Sequence, residues 1–313
     1  MSSLLARFAE NLYWLGRYLE RAENTARILH INQTYARDNV EGPDWRRVLD
    51  LYDDTDRFFE AHKHADARSV LNWYVIDRDN PTSIAFAVAN ARENARTVRH
   101  LISTEMWIQI NLFHGTMKAL TARHITLSNL SNLASHLILQ CQTFDGIADG
   151  TFLRGEPCCF YQLGKYLERA DQTTRVLDMG YDRLSVRDPD AVASVQWSTM
   201  LRSVSGYHAY RSRHPAASRP SDIAGFLLYD TEFPRAVALC VQRVTERLRD
   251  QERRHGTGRS EKLEAARREV EFALDTGPGS DLSSERLHTF LDKVQISLAG
   301  VSNAIANAYF AYH

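Results

Sequence analysis

Between about Ser3 and Asp38, apolar residues recur at Leu12, Leu15, Leu19, Ala22, Ala26 and Leu29, in steps of three and four. Such steps bring side chains onto one side of an α-helix, so the stretch predicts a long helix with this stripe turned to a core. At ~100° per residue, Tyr13, Arg17, Glu20, Asn24 and Arg27 gather on the other side, with Arg21 further round. A polar side this dense in charge on an otherwise apolar helix is the first feature that needs an explanation.

The same periodicity continues. Gly42-Pro43-Asp44 is expected to open a helix carrying Trp45, Val48, Leu49 and Tyr52, since proline suits a first helical position. A short helix is expected over 66–76. A long one starts at Asn80-Pro81, with Asn80 as N-cap and Ile84, Val88, Ala91 and Ala95 as its core face. Helices then restart after Ser103 and run from about Arg123 to Thr151. Beyond that they are expected at about 157–179 (ended by Gly180), 189–210, 220–229, 234–254, 259–274 and 281–312. No run alternates as a half-buried strand does. The fold class is therefore all-α, a bundle of about ten to twelve helices.

The opening helix is written twice. Gly16-Arg-Tyr-Leu-Glu-Arg-Ala-Glu-Asn-Thr-Ala-Arg27 returns as Gly164-Lys-Tyr-Leu-Glu-Arg-Ala-Asp-Gln-Thr-Thr-Arg175, with eight of twelve positions identical. Trp45 and Leu49 recur as Trp197 and Leu201, and Asp77-Arg-Asp-Asn-Pro81 as Asp230-Thr-Glu-Phe-Pro234. The offset drifts only from 148 through 152 to 153, so loops changed length while order was kept. This predicts one internally duplicated domain over 1–313, with repeat halves of about 1–150 and 155–313, a joint near Asp149 to Pro157, and pseudo-two-fold symmetry.

The repeated polar side has two physical readings. A buried carboxylate must be paired or neutralised. Glu20, Glu168 and the arginines could thus form a satisfied network that fixes helix register. Alternatively they line a cleft, with guanidiniums holding a carboxylate or phosphate and a glutamate acting as base. Arg27 lies about two turns from Glu20, so Arg17, Arg21 or another helix would have to close that contact. Gly16 and Gly164 fit either reading, because glycine inside a helix costs ~1 kcal/mol and permits close backbone approach. Arg92, Glu93, Arg96 and Arg99 make a second charged stretch.

Other chemistry is thin. There is no phosphate loop, dinucleotide turn, His-Glu-x-x-His or Gly-x-Ser-x-Gly. No metal site and no cofactor are expected. His62 and His64 lie two apart and read as surface residues, not ligands. Four cysteines without a Cys-x-x-Cys pair read as reduced thiols, and no secretory signal is visible, so a cytoplasmic location is expected. A net charge of −1 gives no long-range pull on DNA or on an anionic membrane, and neither is an expected partner. Arginine outnumbers lysine thirty-three to five.

The words Ala9-Glu-Asn-Leu-Tyr-Trp-Leu-Gly-Arg-Tyr-Leu-Glu-Arg-Ala-Glu-Asn-Thr-Ala-Arg27, with Asn80-Pro81-x-Ser83-Ile84, Arg92-Glu-Asn-Ala-Arg96 and Leu163-Gly-Lys-Tyr-Leu-Glu-Arg-Ala-Asp-Gln-Thr173, resemble the alpha-E family over essentially the whole chain. The resemblance implies a helical domain found beside circularly permuted ATP-grasp proteins and transglutaminase-like, papain-fold peptidases. It implies a part in forming or modifying peptides or amides with an ATP-grasp ligase. The Glu-Arg motif falls on Glu20-Arg21 and recurs at Glu168-Arg169, with Lys165 where the first copy has Arg17. On this view Glu20 and Glu168 are the candidate catalytic carboxylates, and Arg17, Arg21, Asn24, Arg27, Arg96, Arg169 and Arg175 the candidate ligand-binding groups. A non-catalytic scaffold is the alternative, and a transferase using an aminoacyl-RNA a further one.

Overall fold

Every regular element among the described residues is helical. The computed structural model describes residues 4–37, 44–184, 192–215, 219–255, 261–277 and 284–310. The chain runs α1 (Ala6–Arg37), α2 (Arg46–Leu51), α3 (Thr55–Ala61), α4 (Ala67–Val75), α5 (Ile84–Thr97), α6 (Thr104–Ala119) and α7 (Leu130–Thr151). It continues α8 (Glu156–Leu184), α9 (Val192–Ser203), α10 (Tyr207–Arg213), α11 (Pro220–Tyr229), α12 (Val237–His255), α13 (Glu261–Thr276) and α14 (Ser284–Ile305), then a π-helical turn, Ala306–Phe310. The described residues thus hold fourteen α-helices, where the periodicity predicts about ten to twelve.

The helix starts show why. The expected start at Pro43 lies outside the described residues, and α2 begins after Trp45. The second expected N-cap moves: Ser83, not Asn80, caps α5 by accepting from the Phe86 amide at 3.0 Å. Asn80 is instead buried, donating to the Trp73 carbonyl at 2.9 Å and accepting from the Thr82 amide at 3.0 Å. Ser103 caps α6 through the Met106 amide at 3.1 Å, as its position in the sequence suggests. α7 starts at Leu130 instead of near Arg123, and α8 continues through Gly180 to Leu184.

The expected helix over 189–210 is cut into α9 and α10. Ser205 takes φ 58°, the Ser205 amide donates to Arg202, and the Gly206 amide reaches back to Leu201 at 2.6 Å. α2 stops the same way: Asp53 has φ 53°, its amide donates to Asp50, and the Asp54 amide reaches Leu49 at 2.9 Å. Both are helix-ending turns in which a left-handed residue, usually glycine, lets the chain satisfy the last carbonyls. Further pairs of local structures coincide. Asp77 accepts from the amides of Asp79 and Asn80, and Asp230 from those of Glu232 and Phe233. His62 at the end of α3 stacks on Phe58 with centroids 4.4 Å apart, and His214 at the end of α10 stacks on Tyr210 at 4.5 Å. His62 is thus no bare surface residue.

The Cα framework divides into two compact units, one of residues up to Gly16 together with those from Arg154 on, the other of Arg17–Leu153. Within Arg17–Leu153, α4 packs on α5, α5 on α6 and α6 on α7. Tyr18 meets Phe86 (6.2 Å between centroids), His30 meets Ser131 (3.1 Å), and Leu29, Val48, Phe58, Tyr74, Val88, Ile110 and Phe144 are buried.

In the other unit α8 packs on α9, α11, α12 and α14, and α13 on α14. The first turns of α1 belong here: Tyr13 hydrogen-bonds Ser302 at 2.8 Å and packs 5.4 Å from Phe310, which also touches Phe160. α1 and α8 cross at their glycines. A Cβ on Gly16 would fall on the Tyr161 carbonyl oxygen and within 2.9 Å of the Lys165 nitrogen. A Cβ on Gly164 would fall on the Tyr13 carbonyl oxygen and within 2.8 Å of its carbon.

All four cysteines are free and buried, and burial pushes the Cys159 thiol up to about 12. On α13, Arg267 grips Glu264 bidentately through one guanidinium edge, Nη2 to Oε1 at 2.6 Å and Nε to Oε2 at 3.0 Å. Hydrogen bonding from Arg267 holds that carboxyl down at about 2. A depressed carboxyl contributes stability above its unfolded value of ~4.3 and loses it as pH falls toward the folded value. Wild type is therefore expected to unfold at lower urea than at neutral pH once pH drops from 4.3 to 2, and Glu264→Gln to show less of this loss. Identical urea midpoint profiles for the two proteins over that range would refute the assignment.

Candidate functional site

Apart from Arg96 on α5, the residues singled out from the sequence lie on α1 and α8, and the two helices repeat one set of contacts. Glu20 is buried and its Oε1 accepts from Asn24 Nδ2, one turn on, at 3.0 Å. Glu168 is buried and its Oε1 accepts from Gln172 Nε2 at 3.2 Å. The guanidinium of Arg21 sits 5.8 Å from the Tyr18 ring centroid, and that of Arg169 sits 5.9 Å from the Tyr166 ring. Arg169 is itself buried and reaches the Pro234 carbonyl at 3.5 Å. Each guanidinium thus lies over an aromatic face that favours a cation.

Arg27 takes a partner absent from the candidate set. Its Nη2 and Nε both donate to Glu23 Oε1, at 2.6 and 3.1 Å, and each side chain is only 4% exposed. In the second copy Arg175 Nε donates to Asp171 Oδ2 at 3.0 Å, with 25% and 17% of the two side chains exposed. The signal was in the spacing: an acid four residues before an arginine is the favoured orientation of a helical ion pair, and both copies have it. The distance from Glu20 to Arg27 draws the eye away from Glu23.

Arg17 and Lys165 are half-buried, and the Lys165 ammonium lies 5.4 Å from the Tyr166 ring centroid. Thr173 anchors α8, donating to the carbonyls of Arg169 (2.8 Å) and Arg235 (2.9 Å). Arg96 belongs to a different set. Its side chain is 65% exposed and pairs with Glu93 at 2.7 Å, beside Arg92 on the same carboxylate. Arg92 and Arg99 both lie against Trp107, 5.6 and 5.8 Å from its ring centroid. This is a solvated helix face with short-range pairing, worth little individually.

The chemistry these rows support is the holding of buried charge. The contacts described here for Glu20, Glu23 and Glu168 come from one turn further along the same helix, which stiffens α1 and α8 and fixes which sides they bury. No group of three or more His, Cys, Asp and Glu that could hold a metal occurs among the described residues. The Glu-x-x-His spacing of di-iron bundles does occur, at Glu252–His255 and Glu285–His288. His288, however, is mostly exposed and sits 2.9 Å from Asp178 and 3.6 Å from Asp292. Among the described residues no helix is long and apolar enough to cross a membrane.

Relatives offer no borrowed function. An uncharacterised protein of Mycobacterium bovis is 24% identical over 277 residues, covering 82% of this chain and 31% of that protein. An uncharacterised protein of Mycobacterium tuberculosis matches at 24% identity with the same coverage. The chain therefore spans 31% of the length of these curated relatives. No solved structure gives a significant match. The profile of the Alpha-E family, described as a predicted alpha-helical domain with a conserved ER motif, matches residues 4–310, and the chain belongs to that family.

Proposed function

We propose that this chain is the helical framework and partner-binding module of a peptide- or amide-forming system, working in the cytoplasm with an ATP-grasp ligase and beside a transglutaminase-like peptidase. The observation that carries the framework role is the repeated contact of a buried carboxylate with an amide one turn on along its own helix, Glu20 with Asn24 and Glu168 with Gln172. On this reading the Glu-Arg rows hold helices, and the ligase does the chemistry. The relatives' greater length supports a module that operates next to other domains. Free buried thiols suit a reducing compartment.

The same reading includes an ancestral duplication. The starts of α5 and α12 (84 and 237), α6 and α13 (104 and 261) and α7 and α14 (130 and 284) differ by 153, 157 and 154 residues, close to the 148 that separates the repeated words. The paired helix endings at Asp53 and Ser205 support it.

A second reading, acyl transfer in a Glu/Arg-lined groove, is favoured by the partial exposure of Arg17 and Arg21 on α1, whose guanidiniums could hold a carboxylate or acyl phosphate. One experiment separates the two: product formation from ATP and amino acids with the ligase present, alongside melting temperature, for Glu20→Gln and Glu168→Gln. The framework role expects product to persist wherever the variants stay folded, with a lowered melting temperature. Loss of product at unchanged melting temperature would replace it with the catalytic role. Failure of the ligase to bind this chain would remove the partnership itself.

A further inference from the structure

A cavity of about 710 Å³ opens between α13 and α14, within the ~300–1,000 Å³ of small-molecule sites. Its apolar lining is Phe272, Phe290 and Ile296. Phe272 is 71% and Ile296 69% exposed, so two large apolar side chains stand in water at the mouth. Singly such residues mean little; together in a concavity they provide a surface for an apolar group.

Thr276 and Thr289 in the polar lining bond back to their own helices, but three other groups are uncommitted. Glu269 faces the cavity from α13, and Lys293 from α14, beside Glu285 and Arg286; neither Glu269 nor Lys293 makes an ion pair among the described residues, whereas Arg267 and Arg268 on α13 do. Ser297 lies one turn beyond Lys293 on the same face. It is only 6% exposed, lines the cavity, and its hydroxyl makes no hydrogen bond among the described residues. A buried serine in a helix ordinarily bonds back to the preceding turn. A hydroxyl that does not do so, at the edge of an open concavity, is available to a ligand.

We propose that this groove binds a zwitterion of about dipeptide size with an apolar side chain. The Lys293 ammonium takes the ligand carboxylate, the Glu269 carboxylate takes its ammonium, Ser297 takes a peptide group, and Phe272 with Ile296 covers the side chain. A simple anion or fatty acid fits less well, because Glu269 repels a second negative charge. The inference does not depend on the amide-forming role, and its test needs no ligase.

The test is calorimetric titration of the full chain with L-leucyl-L-phenylalanine, its N-acetyl derivative and its C-terminal amide. Saturable binding is expected for the free dipeptide, weakened about tenfold or more by capping either end, as for loss of a charged hydrogen bond. Lys293→Gln should erase the difference between acid and amide, and Glu269→Gln the difference between free and acetylated amine. Both side chains are exposed, so circular dichroism should be unchanged in these variants. Absence of saturable binding, or charge preferences that survive either substitution, overturns the proposal.

Discussion

Gly164→Ala is expected to destabilise the protein by about 3 kcal/mol or more, at or beyond the upper end of ordinary overpacking, and Gly16→Ala by a similar amount. The added methyl meets backbone in both cases, the carbonyl of Tyr13 for Gly164 and that of Tyr161 for Gly16. A side chain could swing aside, but two helical backbones can yield only by moving apart. That would strip contact from Tyr13 against Ser302 and Phe310 as well. The gain of ~1 kcal/mol that alanine brings inside a helix cannot offset this. Gly115, Gly146 and Gly150 supply the control, since a Cβ there meets nothing within 4 Å. Alanine at those sites is expected to leave the urea midpoint unchanged or raise it. If Gly164→Ala unfolds at the wild-type midpoint, the close crossing of α1 and α8 is not what holds that unit together.

The second large effect concerns Glu23. Removing one partner of a buried ion pair costs about 3–5 kcal/mol, because the remaining charge stays in a poor solvent. Glu23→Ala is expected to reach that range, since Arg27 loses a carboxylate that meets it through two nitrogens in a site almost closed to water. Asp171→Ala makes the same deletion in the second copy, where the pair is partly exposed. There about 1 kcal/mol or less is expected. The pair of measurements isolates burial from chemistry. Replacing Glu23 and Arg27 together by leucine and methionine should recover much of the loss. Equal losses for Glu23→Ala and Asp171→Ala would show that burial does not set the cost.

Much of the fold could be read directly from periodicity, because the core positions repeat every three or four residues over long stretches. Leu12, Leu15, Leu19, Ala22, Ala26 and Leu29 are all buried. The polar side of α1 is buried as well, at Tyr13, Glu20, Asn24 and Arg27. Amphipathic spacing alone would assign those residues to water; only the repetition of the words hinted otherwise. The helix breaks were hidden for a local reason. Asp53 and Ser205 take a left-handed backbone that is usually signalled by glycine, so 45–61 gave no sign of two helices and 189–210 no sign of a cut. Asn80 precedes a proline, and Ser83 follows it by two residues; both are good caps, and burial of Asn80 against Trp73 and Thr82 decided between them. Glu23 escaped notice because its value depends on being enclosed, which a helical wheel does not show. Serine at 297 gives no hint in the sequence that its hydroxyl is left without a partner.

The membership of residues 4–16 in the later unit has a consequence for the order of events on the ribosome. Tyr13 and its partner Ser302 are separated by 289 residues, and contacts of such long range close slowly because the intervening chain must first be gathered in. The contacts internal to Arg17–Leu153 can all be made before residue 154 is joined. The first turns of α1, by contrast, wait for Ser302, 289 residues beyond Tyr13, to emerge. Until then Leu12, Tyr13 and Leu15, side chains destined for the interior, remain without their final neighbours, and nascent chains truncated before Phe310 would leave a sticky segment around Tyr13 for chaperones to cover.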